Sequence, residues 1–326
     1  MIALALLAIA PGPAVPLQDS FALRAAQLER GDGERVRNGV LWIENGRVRE
    51  VGASVDLPDD VPLLEHDGVV TAGLVACHSY DGLAGEDRDE TRSVLDGARL
   101  FDAYAPSHGD FERALAAGIT TVVLAPAPVN LVGGRAVVVK TAGGVVVERD
   151  APLVLSLASG ALVQNRYPTS AQGAQAELEQ RLETPAGPFS EAVAGKRPGE
   201  IAVESKDDVL RALGLAEGHA LTGALLGGPR HLEGLAKDIQ RAGLGVVLGP
   251  FSPGVDPADL QAAVELGRER VPLAFALDAP WSHPDTLRLC AALCVRAGLA
   301  PGQARRALTT DAAVLAGVAE IGRAHV

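Results

Sequence analysis

The sequence predicts an α/β protein: a distorted (β/α)8 TIM-like barrel with a small β-sandwich part at its N-terminal side. Three observations carry this. Apolar strand-like runs alternate with amphipathic helical stretches along most of the chain, the rhythm of a parallel sheet with helical crossovers. There are about eight such runs over roughly 250 residues, the number and length a (β/α)8 barrel needs. Ahead of them stands a hairpin with its own turn signal, Glu44-Asn45-Gly46. A doubly wound open sheet is the alternative, but "NLVGGRAVV" lacks the G-x-G-x-x-G spacing of a dinucleotide site and enters a strand rather than a helix.

In chain order, "MIALALLAIAPGPAVP" is an apolar run closed by Pro and Gly, too short to span a bilayer and suited to a secretory h-region. Export is therefore expected, with residues 1–18 as signal peptide; a buried N-terminal strand is the alternative. Residues 19–68 form the small β part, with strands Val40 to Ile43 and Arg47 to Val51. Residues 69–320 form the barrel. Its strands are Val69 to Ala76, Ile119 to Leu124, Ala136 to Lys140, Leu153 to Ala158, Ile201 to Glu204, Ala220 to Leu226, Gly245 to Leu248 and Val271 to Leu277. Helices such as "AQAELEQRLE" and "DDVLRALGLAEG" lie between them, several closing on a glycine fit for a helix C-terminus. Thr184 to Gly199, rich in Pro and Gly, reads as a mobile loop.

At 326 residues with 48% hydrophobic side chains, the chain can bury a full core. Its net charge of −12, without a Lys/Arg cluster, argues against nucleic acid and anionic membrane surfaces as partners. A small-molecule substrate or ligand is the expected partner, with no membrane insertion of the mature chain; oligomerisation is not legible. The three cysteines, Cys77, Cys290 and Cys294, read as small buried hydrophobes rather than a disulfide framework.

The chemistry starts at "LVACHSYDG", where His78 stands just past an apolar strand. The order "ENGRVREVG", "TAGLVACHSYDGL", "AAGITTVVLAP" and "VPLAFALDAPWSHPDTLRLC" resembles the amidohydrolase superfamily, in particular its imidazolonepropionase-like branch. The resemblance implies a β-sandwich flanking a distorted barrel, in which metal-held water attacks a non-peptide C–N bond of an amide or cyclic amide. The barrel gives the physical reason: strand ends converge on one face, so His and Asp from distant segments meet around one divalent ion.

Residue by residue, His78 matches the first histidine of the family's His-x-His pair, and Tyr80 stands at the second. Asp278 in "FALDAP" matches the aspartate that touches the metal and takes the proton of the attacking water. Where relatives carry histidines on later strands, this chain has Ala202 and Gly227. Glu204 is a hard oxygen ligand near that strand end, so His78, Asp278 and Glu204 form the expected metal set, with zinc or manganese as cofactor. Tyr80, His231, Trp281 and His283 are the expected pocket residues. Lys140 invites comparison with the carbamylated lysine of some relatives, although a solvated or hydrogen-bonded lysine is the simpler reading. No G-x-S-x-G stretch or phosphate cradle is present.

In the family, further strands follow the last helix and complete the sandwich. Here "AGVAEIGRAHV" closes the sequence, and Ile321 to Val326 looks like a translated adapter, so 321–326 is expected to be a non-native tail and the C-terminal sandwich strands missing. Two functions follow: a metal-dependent hydrolase of C–N bonds with Asp278 as general base, or a catalytically inactive protein of the same fold acting as a binding or partner subunit.

Overall fold

A computed structural model describes residues 20–31, 34–83 and 89–318. The export segment expected over 1–18 and the tail expected over 321–326 lie outside them. The chain divides into two compact units, a smaller one that includes residues 20–28 and 35–70 and a larger one that runs on from Thr71 and also takes in the described residues 29–31 and 34.

The smaller unit is built on a four-stranded sheet of β1 (Phe21–Glu29), β2 (Arg35–Glu44), β3 (Arg47–Gly52) and β4 (Leu63–Thr71), in the order β3-β2-β1-β4. Asn45 and Gly46 form the two-residue hairpin loop, with φ of 52° and 71°, and Glu44 pairs with Arg47 across it. A turn with positive φ at both central residues matches the right-handed strand twist, and Asn-Gly tolerates it best. Periodicity showed only β2 and β3. The expected strand Val69 to Ala76 is in fact two, broken at Ala72 and Gly73, and Gly73 leaves room for the Thr120 side chain where a Cβ would clash with it.

The larger unit adds β5 (Leu74–Ser79), α1 (Asp110–Ala116), β6 (Ile119–Leu124), β7 (Val132–Arg135), β8 (Val137–Lys140), β9 (Val145–Glu148) and β10 (Leu153–Ser156). Then come α2 (Ala171–Glu183), α3 (Pro188–Val193), β11 (Gly199–Ala202), α4 (Lys206–His219), β12 (Gly223–Gly227), α5 (Ala236–Arg241) and β13 (Gly245–Leu248). It closes with α6 (Gln261–Arg268), β14 (Leu273–Phe275), α7 (Thr286–Ala297), α8 (Pro301–Ala307) and α9 (Thr310–Leu315). One sheet runs β14-β13-β12-β11-β10-β7 and the other β5-β6-β8-β9. They meet twice: a parallel bridge joins Cys77 to Ala276, and the chain passes from β7 to β8 at Ala136. This arrangement is consistent with a distorted TIM-like barrel, with β7 and β8 sharing one antiparallel place in the ring.

Strand alternation then separates two cores. Val75, Cys77, Val123, Val138, Val154, Ala202, Ala224, Val247, Ala274 and Ala276 pack together within the ring, joined by Ala312, Ala313 and Leu315 of α9. The alternate residues, among them Val122, Leu124, Leu155, Ile201, Leu225, Val246 and Phe275, pack against the helices. Helix starts follow ordinary capping, since Ser170 and Ser205 accept from the Gly173 and Asp208 amides at the heads of α2 and α4. The stretch expected as a mobile loop, Thr184 to Gly199, instead holds α3. Its Phe189 is 1% exposed in the outer core, and that burial fixes the segment despite its Pro and Gly content.

Candidate active site at the strand ends

The C-terminal ends of β5 and β14, the first and last strands of the ring, lie side by side. The Leu277 amide donates to the carbonyls of Cys77 (3.2 Å) and His78 (3.3 Å), and the Tyr80 amide donates to Ala279 (2.8 Å). Here the β5–β6 register breaks between Ala76 and Ser79. His78 and Asp278 both adopt left-handed backbone, with φ of 49° and 54°. Non-glycine residues rarely do so, and two on neighbouring strand ends mark a place where geometry is held against local preference.

The His78 ring is buried and held at both nitrogens. Nδ1 faces Glu200 Oε1 at short range, with the two side chains 5% and 6% exposed, and Nε2 lies 2.9 Å from the Tyr80 hydroxyl. A carboxylate can only accept, which assigns the proton to Nδ1 and leaves the Nε2 lone pair for the Tyr80 O–H. Glu200 is one residue before Ile201 of the outer core and two before Ala202 of the inner one, so strand alternation turns it into the ring. The Tyr80 and His78 rings stand nearly perpendicular, at 88°. Beside this group, burial, and after it the Glu200 charge, pushes the Cys77 thiol well above its ordinary value.

A second buried carboxyl lies three residues past His78. Burial, reinforced by the Asp110 charge, pushes Asp81 up to about 6, while the Ser79 hydroxyl, donating at 3.2 Å, works the other way.

The remaining expected residues fall elsewhere. Glu204 lies two residues beyond β11 and accepts from the Ser159 hydroxyl (2.7 Å) and amide (3.1 Å). His231 sits in the short 3-10 turn Pro229–Leu232. Trp281 is 82% exposed, and the exposed His283 lies with Nδ1 3.5 Å from Asp285. Lys140 donates to Thr121 (3.2 Å) near the start of β6, at the end of the ring away from His78, and burial lowers its pKa.

Among the described residues, no group of three or more His, Cys, Asp or Glu is placed to hold a metal ion, so His78, Glu204 and Asp278 do not come together as one. The reason is local: both His78 ring nitrogens face protein partners, and Glu204 is turned to Ser159. This donor set does not fit a zinc or manganese centre that needs three protein ligands. Glu200, the residue sequence reasoning missed, fell outside the expected strand Ile201 to Glu204 because the true strand starts at Gly199. Its one signal is an acidic residue inside "GEIAV", an otherwise apolar run.

No family model matches the chain. A curated imidazolonepropionase from Cupriavidus taiwanensis is 37% identical over 67 residues, a stretch that makes up 19% of this chain and 16% of that protein. Among solved structures, an amidohydrolase from Thermotoga maritima MSB8 superposes with a TM-score of 0.79 at 20% identity, covering 92% of this chain and 89% of that one. Molinate hydrolase gives 0.56 at 13% identity, covering 92% and 86%, and the A. niger ochratoxinase 0.54 at 15%, covering 91% and 85%. The strand order, the paired ends of the first and last strands and these likenesses agree: the chain has the fold of the amidohydrolase superfamily.

Proposed function

We propose that the protein is a hydrolase of small molecules that cleaves a non-peptide C–N bond, an amide or cyclic amide, at the C-terminal ends of β5 and β14. The observation that carries this reading is the pair His78 and Asp278, both in left-handed backbone on neighbouring strand ends, at the face where barrels of this type do their chemistry. Asp278 is the proton acceptor for the attacking water, and His78, buried and fixed at both nitrogens, is the second proton-handling group. The hydrolases among its structural neighbours support the reaction class. No step is assigned to a metal, because the donor set described above does not fit one.

A second reading has its own observation. The absence of a three-ligand cluster among the described residues favours a protein that keeps the fold for binding and performs no hydrolysis. The two separate in one experiment: the purified chain is assayed against a panel of amides, lactams and other cyclic amides, with and without chelator. Turnover that falls roughly 10²- to 10⁴-fold in Asp278→Asn supports the hydrolase. A wild-type chain that binds panel members without turning any over supports the binding protein.

A further inference from the structure

We propose that Tyr80, His78 and Glu200 form a metal-independent nucleophilic triad, with the Tyr80 hydroxyl as acyl acceptor, His78 Nε2 as its base and Glu200 as the residue that positions the base. The inference rests on the reading of this site as a hydrolase and deepens it to acyl transfer through the chain's own oxygen. Its geometry is that of activated nucleophiles generally: a hydroxyl within hydrogen-bond reach of a base, and the base oriented by a third group. Here the hydroxyl lies 2.9 Å from Nε2 and the opposite nitrogen is engaged by a buried carboxylate. The left-handed backbone at His78 is the local cost of this alignment.

The carboxylate does two things for the base. It fixes the hydrogen on Nδ1, which keeps the Nε2 lone pair toward Tyr80, and it stabilises the imidazolium that forms when Nε2 takes the proton. Glu200 is turned inward from β11 with a side chain 6% exposed, so water competes little for it.

The step balances without an added reagent. The Tyr80 oxygen bonds to the acyl carbon as its proton passes to Nε2, and the carbonyl pair moves onto oxygen. That pair returns as the bond to the leaving group breaks, and the Nε2 proton goes to the departing nitrogen or oxygen. Water then attacks the tyrosyl ester, and the proton taken from it by Asp278 ends on the departing Tyr80 oxygen. The products are the free acid and the amine or alcohol.

The test uses 4-nitrophenyl acetate on the full chain, in chelator, with acetylated tyrosines located by peptide mass spectrometry. Tyr167, 63% exposed, is the internal reference for unactivated phenol. Tyr80 is expected to acetylate at least about tenfold faster than Tyr167, with the initial nitrophenol burst lost in Tyr80→Phe and slowed in Glu200→Ala. In Glu200→Ala, the His78 ring-nitrogen NMR signals are also expected to move from a single Nδ1–H form toward a mixture. Equal labelling of Tyr80 and Tyr167 in the wild-type protein overturns the triad, whichever variants fold. Amide turnover unchanged in Tyr80→Phe also overturns it and leaves the hydrolase reading standing. Tyr80 labelled without turnover of any amide or lactam keeps the triad and removes the hydrolase reading.

Discussion

Glu200 and His78 meet within the ring of strands although 122 residues separate them, and each supplies the partner that the other's burial requires. A buried ring N–H without an acceptor costs about 1–3 kcal/mol. Glu200→Ala is therefore expected to lower the unfolding free energy by at least about that amount, whereas Glu200→Gln, whose side-chain carbonyl still accepts, is expected to lose roughly half as much or less. Urea denaturation of both variants measures the difference. Equal losses would mean that the carboxylate's charge, and neither its volume nor a neutral acceptor, sustains the contact.

Asp81 sets a pH dependence of stability. Its folded pKa is raised from 3.8 to about 6, first by burial and then by the Asp110 charge. Between those values the folded protein holds a proton that the unfolded chain has released. The contribution is therefore fully present below about pH 4 and is lost as pH rises through about 6. Two units correspond to about 3 kcal/mol at most. Asp311, also raised by burial, adds a slope of the same sign. Thermal melts from pH 4 to 7 should show stability falling, and Asp81→Asn should flatten part of that slope.

Two glycines make opposite predictions. Gly223 has φ of 128°, and a side chain there would place its Cβ 1.9 Å from the Gly199 carbonyl on the neighbouring strand. Gly223→Ala is expected to cost on the order of 3 kcal/mol. Gly214 lies in the middle of α4 with open space around it. Gly214→Ala is expected to stabilise by about 0.5–1 kcal/mol. Chemical denaturation of the pair checks both signs.

Phe189 anchors α3. Removing its ring from the outer core with Phe189→Ala is expected to cost about 3–5 kcal/mol. Limited proteolysis between Thr184 and Gly199 should accelerate in the variant and stay slow in the parent chain. Fast cleavage of the parent would contradict the docking of this segment.

The three thiols are buried, and burial pushes Cys294 up to about 12. An aromatic disulfide reagent at neutral pH should titrate none of them until denaturant is added. Reaction of Cys77 in the native state would show the inner core open to solvent, and reaction of Cys290 or Cys294 the outer one.

The parts of the fold legible in the sequence were those fixed by local physics. Ile119 to Leu124 and Gly245 to Leu248 are strands over the expected residues because their apolar runs are bounded by glycine or by a helix end. Asn45-Gly46 is a turn because few other pairs accept its backbone. What local pattern could not show was where a strand begins when its first inward residue is charged. Glu200 broke the apolar run, so β11 was expected two residues late and Glu204 stood in for the carboxyl that reaches His78. Likewise, no periodicity marks the break at Ala72 and Gly73. His78 and Asp278 were legible as residues, through a resemblance. Their backbone strain and the Tyr80–His78–Glu200 contacts depend on pairings between distant segments and had no sequence signal.

The placement of α9 has a consequence for how the chain comes to be folded. The thiol of Cys77, on the first strand of the ring, donates to the Ala312 carbonyl across a separation of 235 residues, and Ala312, Ala313 and Leu315 pack with Val75 and Val247. A ribosome has therefore released nearly all the strands of the ring before the segment that packs against their inward side chains exists. Until then the small apolar side chains within the ring have no cover from this helix, and contacts of such long range are slow to form. Nascent chains paused after β14 and before Thr310 would hold all the strands of the ring without this helix, a natural client for a chaperone that recognises exposed aliphatic surface.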